Sequence, residues 1–148
     1  MSRVVAIVSH QGAIGALGDL ASADLSVAAP PGDVPGQVDL MFVLQPIPSW
    51  VERILTFARR TALGRNAVRL TPLDPSRRLW RAARRDARLA ELVRSADVVV
   101  AVDRDAIFTV WKMTRSRRYG TAWAAVYGAS AARFALDAMR AAGKPTTA

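Results

Sequence analysis

The 148-residue chain has no cysteine, one histidine and only two lysines beside 19 arginines. Without cysteine, a disulfide framework, thiolate metal ligands and thiol catalysis are all excluded. A lone histidine, His10, excludes a multi-histidine metal centre, and no motif calls for a metal or an organic cofactor. Long apolar runs are missing too. Val4–Val8 is too short for a signal-peptide core, and the C-terminal stretch Thr121–Met139 is interrupted by Arg133 and Asp137, short of a membrane-spanning helix. The expected location is the cytoplasm, with peripheral contact to the inner face of the membrane left open. What is present suits one compact domain: 51% hydrophobic and 22% charged residues. A chain of this length buries roughly 70% of its unfolded surface without needing a staple. A single domain is expected over 1–143, with a loose tail at 144–148.

Charge is unevenly spread. Residues 1–51 hold one base and four acids, whereas 52–148 hold twenty bases and eight acids. Such a field raises the local concentration of anions, although arginines on solvated helix faces would give the same count.

Short β-branched runs alternate with helical patterns. Strands are expected at 3–9, 24–29, 38–44, 67–71 and 96–103, and at 122–127, where the first turn of an alanine-rich helix is the alternative. Three prolines make 30–36 a loop. Ser49-Trp50-Val51-Glu52 has capping-box spacing, opening a helix expected to stop at Gly64. Asp74 or Ser76 can cap a long helix running to about Ser95. Asp105 is expected to open another, and a final helix is expected over 130–142. The alternation predicts an α/β fold in three layers: a mostly parallel, doubly wound sheet of five to six strands, covered on both faces.

In such sheets ligands bind beyond the carboxyl ends of the strands, where strand order reverses. This selects His10, Gln11 and Gly12 after the first strand, Gln45 after the third, and Thr71 and Asp74 after the fourth. Asp103, Arg104 and Asp105 follow the fifth, and Tyr127 and Gly128 the sixth. The spacing Gly12-x-x-Gly15-x-x-Gly18 permits close backbone approach to a ligand. It matches neither standard nucleotide fingerprint, and a plain packing turn is the alternative. Imidazole is suited to general-base work, with Asp103 as the group orienting the His10 ring. Arg104 could clamp a phosphate or carboxylate; equally, Asp105 could be an N-cap with Asp103 and Arg104 as a local ion pair. Arg77, Arg81, Arg84 and Arg88 share one face of the expected long helix, as a solvated face or as a stripe that binds an anionic surface. Trp111, beside Lys112, could anchor an interfacial helix.

The segment RVVAIVSH with its glycine-spaced loop, and ADVVVAVD at 96–103 after an arginine- and alanine-rich helix, resemble the N-terminal Rossmann-like half of GT-B glycosyltransferases. The resemblance is architectural and spans residues 3–142. It implies an acceptor-side domain with His10, Gln11, Gly12 and Gly15 in the cleft. The donor site of that family lies in a second domain with an E-x7-E carboxylate pair, which this sequence lacks. A donor-binding protein subunit, or a homo-oligomer, is the implied partner. The alternative function is a non-catalytic basic module binding an anionic surface: acidic lipid, nucleic acid or an acidic protein. Nucleic acid is disfavoured within that set, because no helix-turn-helix, zinc finger or aromatic single-strand platform is present.

Overall fold

The computed structural model of the chain describes residues 2–20, 23–31, 38–58 and 60–143, apart from the side chains of Gln11, Asp19 and Arg65. Most of the expected proline-rich loop, and the tail at 144–148, lie outside the described residues. The β-branched run near the start forms β1 (Arg3–Ile7). Val4 through Val8 are fully buried, the unbroken apolar pattern of a parallel strand covered on both faces. A 3-10 helix (Gln11–Leu20), β2 (Asp24–Ala29) and a short β3 (Leu40–Met41) follow. Next come α1 (Ser49–Ala58), α2 (Ala62–Leu70), α3 (Pro75–Arg85) and α4 (Ala87–Arg94). The chain continues through β4 (Val98–Ala101), α5 (Arg104–Thr114), a 3-10 turn (Arg117–Tyr119), β5 (Ala124–Tyr127) and α6 (Ala129–Ala141).

The five strands make one all-parallel sheet in the order β3-β2-β1-β4-β5. This is a doubly wound, three-layer Rossmann-like arrangement, and its order reverses between β1 and β4. Val5 and Ile7 share one face with Val99 and Ala101, under α3, α4 and α5. Val4, Ala6 and Val8 share the other with Val98 and Val100, under the 3-10 helix and α6. A slip of one residue would exchange the two sets. Two aspartates guard against it. Asp97 Oδ2 accepts the Arg3 N–H at 2.8 Å, and Asp103 Oδ2 accepts the Ser9 N–H at 2.7 Å. β4 is thus tied to β1 just before its first residue and just after its last.

On the helical side, the buried Tyr119 hydroxyl donates to the Ala83 carbonyl at 3.1 Å, joining the end of α3 to the turn after α5. Burial pushes the Tyr119 phenol above its ordinary 10.0, against the opposing pull of Arg118 and Arg84.

Five expectations are corrected. The strand at 67–71 is the last turn of α2: the Thr61 hydroxyl caps this helix by accepting the Gly64 N–H at 3.0 Å. Gly64 therefore sits inside a helix and stops none. A Cβ there would overlap the Ala58 carbonyl oxygen and stand 2.8 Å from Thr61 Oγ1, so glycine is what lets α2 fold back on α1. At Ser49, the Val51 and Glu52 amides donate to the Pro48 carbonyl, and no Ser49 or Glu52 side-chain cap forms among the described residues. The third strand pairs only over Leu40–Met41, because Pro30 and Pro31 leave β2 with no further donors to offer. The long helix after Asp74 breaks at Asp86, whose carboxylate accepts the Arg88 and Leu89 N–H groups at 2.9 and 3.3 Å and starts α4.

Candidate functional site at the sheet switch point

Ile7, Ala28, Ala101 and Tyr127 form the last paired row across the four longer strands. Everything beyond that row lies at the carboxyl edge. β1 continues into Ser9 and His10, and the His10 carbonyl accepts the Ala13 N–H at 3.1 Å as the 3-10 helix begins. β4 continues into Asp103, whose Oδ1 caps α5 through the Ala106 N–H at 3.0 Å. The two ends therefore meet where the strand order reverses. His10 Nδ1 lies 3.8 Å from Asp103 Oδ2 and 3.1 Å from Ser9 Oγ. The Asp103 side chain is 13% exposed and that of His10 66%, so a held carboxylate backs an accessible imidazole. Asp103 Oδ2 is beyond hydrogen-bond reach of Nδ1 and acts on the ring through its charge, which favours a proton on Nδ1 over one on Nε2. Nε2 has no partner among the described residues. Gly12 lies under the ring: a Cβ there would sit 3.5 Å from His10 Cδ2 and 4.0 Å from Nε2.

The remaining expected site residues divide. Arg104, on the first turn of α5, is exposed at the same edge and forms no ion pair with Asp103 among the described residues. Asp105 accepts from the Ser76 hydroxyl at 3.2 Å, bringing the start of α3 beside the start of α5. The cap of α5 is Asp103, and the alternative in which Asp105 plays that part is corrected. Asp74 is buried and already accepts the Ser76 and Arg77 N–H groups at 2.9 and 3.4 Å. It is a helix cap with Pro75 at the first helical position. Gln45 is exposed, and its carbonyl accepts from Arg78 Nη2 at 2.6 Å, which ties the end of the third strand to α3. Gln11 begins the 3-10 helix; its side chain lies outside the description. Gly15 also falls in this helix, and a Cβ there would meet no protein atom within 4 Å. Gly15 and Gly18 line a cavity of about 520 Å³ with Leu17, Leu25 and Asp39, and His10 is absent from its walls. Thr71 Oγ1 is turned back to the Val68 carbonyl at 2.7 Å.

The arginine stripe is interrupted. Arg88 belongs to α4 and pairs with Asp86 at 3.4 Å, while Arg81 is bonded to the Pro72 carbonyl. Arg77 and Arg84 remain exposed on α3. At the end of α5, the Arg115 guanidinium lies 4.3 Å from the Trp111 ring centre and Lys112 lies 5.2 Å from it.

Ser9 is the site residue that the sequence reading left unassigned. Its signal was its place immediately before His10 at a strand end, where an amide leaves the ladder and needs an acceptor. No protein-family profile, curated protein or solved structure matches the chain. No helix among the described residues is long and apolar enough to cross a membrane.

Proposed function

We propose that the chain is the acceptor-side domain of a glycosyltransferase-like enzyme, working with a partner that carries the sugar-nucleotide site. The observation that supports this is the pairing of His10 with Asp103 at the reversal of a β3-β2-β1-β4-β5 sheet. In the proposed step His10 Nε2 takes the proton of an acceptor hydroxyl as its oxygen bonds to the anomeric carbon of the donor. The bond from that carbon to the nucleoside diphosphate breaks, and the leaving group departs with the electron pair toward the partner. Asp103 keeps the Nδ1 proton directed inward and balances the imidazolium that forms. Arg104, exposed beside the pair, is placed to hold a phosphate on the acceptor.

The isolated chain should neither bind a sugar nucleotide tightly nor turn it over; robust transfer by the chain alone overturns the reading. Together with a co-purifying donor-binding chain, His10→Gln should lower transfer by about 100-fold or more, the usual worth of a general base. A variant that keeps full transfer removes His10 from the chemistry. The alternative, an arginine-bearing anion-binding module on α3, has less support because Arg81 and Arg88 already have partners within the fold.

A further inference from the structure

Seven of the eleven large apolar side chains exposed among the described residues fall between Met41 and Leu70. Five of them are on α1 and α2: Trp50, Ile54, Phe57, Leu63 and Leu70, each between 57% and 84% exposed. Leu55 and Val68, the buried residues of these two helices, belong to neither face of the main core. The pair is a hairpin packed largely on itself, with an apolar side left open.

Its pattern is specific. Trp50, Ile54 and Phe57 recur at i, i+4 and i+7, one stripe along α1. Arg53 borders that stripe, about 60° from Trp50 on the helical wheel, and Arg60, just past the end of α1, lines the same surface depression as Arg53 and Phe57. On α2, Leu63, Ala67 and Leu70 repeat the i, i+4, i+7 spacing, and all three are exposed. Residues 49–71 carry five arginines against one glutamate. Aromatic and aliphatic side chains flanked by arginines fit an interface that is apolar within and anionic at its rim. Acidic lipid headgroups over acyl chains offer that combination.

We infer that the α1–α2 hairpin docks the protein on an acidic membrane surface, with Trp50, Ile54 and Phe57 entering the headgroup–acyl boundary and Arg53 and Arg60 at phosphate level. The inference stands apart from the acceptor reading, since none of these residues touches His10 or Asp103. It gives a role to arginines of residues 49–71 that the arginine spacing of α3 did not indicate.

The test is flotation of the intact protein with vesicles of phosphatidylcholine alone, or with about 30% phosphatidylglycerol added. Binding to the anionic vesicles only, with quenching of tryptophan emission by brominated lipid, is expected. Arg53→Gln/Arg60→Gln should weaken partitioning about 20- to 30-fold, from about fivefold per arginine near the surface. Ile54→Ser/Phe57→Ser should weaken it by more than about tenfold. Both pairs are exposed, so far-ultraviolet circular dichroism should match the parent. Absence of binding at low salt overturns the proposal. So does binding lost in Arg77→Gln/Arg84→Gln and retained in the hairpin variants. A vesicle-free dimer that Ile54→Ser/Phe57→Ser dissociates, with no lipid binding, would assign the face to a second copy of the chain instead.

Discussion

Replacing Asp103 with alanine removes two anchors at once. Oδ1 holds the Ala106 N–H at 3.0 Å as the cap of α5, and Oδ2 holds the Ser9 N–H at 2.7 Å across to β1. An N-cap is worth about 1 kcal/mol, and a hydrogen bond to a charged group about 1.5–3 kcal/mol. The side chain is only 13% exposed, so water replaces little of what is lost. The combined cost is about 2–4 kcal/mol, since the two contributions share one carboxylate and need not add fully. For a chain of this size that lowers Tm by about 5–15 °C. Asp103→Asn keeps one oxygen to cap the helix but turns its NH2 group, a donor, toward the Ser9 N–H, so it should lose the bridge to β1 while sparing the cap. Asp97→Ala removes a single bridge, to the Arg3 N–H, and should cost about 1–3 kcal/mol. His10→Gln, at an exposed ring, should stay within about 0.5 kcal/mol. Urea unfolding followed by circular dichroism reads all four as shifts in midpoint at constant slope. An Asp103→Ala protein as stable as the parent would refute the reasoning, and would remove the basis for placing His10 against that carboxylate.

Tyr119→Phe removes one of two donors on the Ala83 carbonyl, which keeps the Asp86 N–H at 3.3 Å, and should cost about 0.5–1.5 kcal/mol at neutral pH. The Tyr119 phenol is held above its ordinary 10.0 in the fold. The folded state thus retains a proton that the unfolded chain releases, and stability should fall as pH rises past about 10. A pH series of urea midpoints should show that fall flattened in Tyr119→Phe. Asp86→Ala removes the cap of α4 and should cost about 1 kcal/mol in the same assay. Gly64→Ala places a methyl group against the Ala58 carbonyl and should open the α1–α2 hairpin. Proteolysis around 59–61 should then accelerate while the global midpoint shifts by less than about 1 kcal/mol, because the hairpin contributes little to the main core.

The strands that form the centre of the sheet were legible because both their faces are buried, so their apolar runs are unbroken: Val4–Val8 and Val98–Val102 could hardly be anything else. The segment 122–127 was open between strand and helix, because β5 is an edge strand with only alternate residues half-buried and its alanines suit either state. Residues 67–71 misled because Ala-Val-Arg-Leu-Thr alternates as a strand does. The deciding signal lay upstream, in Thr61 capping three residues ahead of a glycine that a neighbouring carbonyl requires. Asp86 was hidden inside an arginine-rich pattern that is helical on both sides of it. At the site, His10 and Asp103 could be placed together from strand ends alone, whereas Asp74 and Gln45 could not be set aside. Whether a carboxylate or a carbonyl is already satisfied depends on contacts such as Arg78 to Gln45, 33 residues apart.

The double tie between β1 and β4 also shapes how the protein can be made. Both bridges span 94 residues of chain, and β1 leaves the ribosome long before β4. At about 5–20 residues per second, β1 waits roughly 5–20 s for its second neighbour. During that interval Val4–Val8 can pair only with β2, and one edge of the future centre of the sheet stays open to other chains. A fragment ending at Ser95 is therefore expected to remain without the stable sheet and to aggregate. The β1–β4 seam can close at both ends only after Asp103, the second anchor, has emerged.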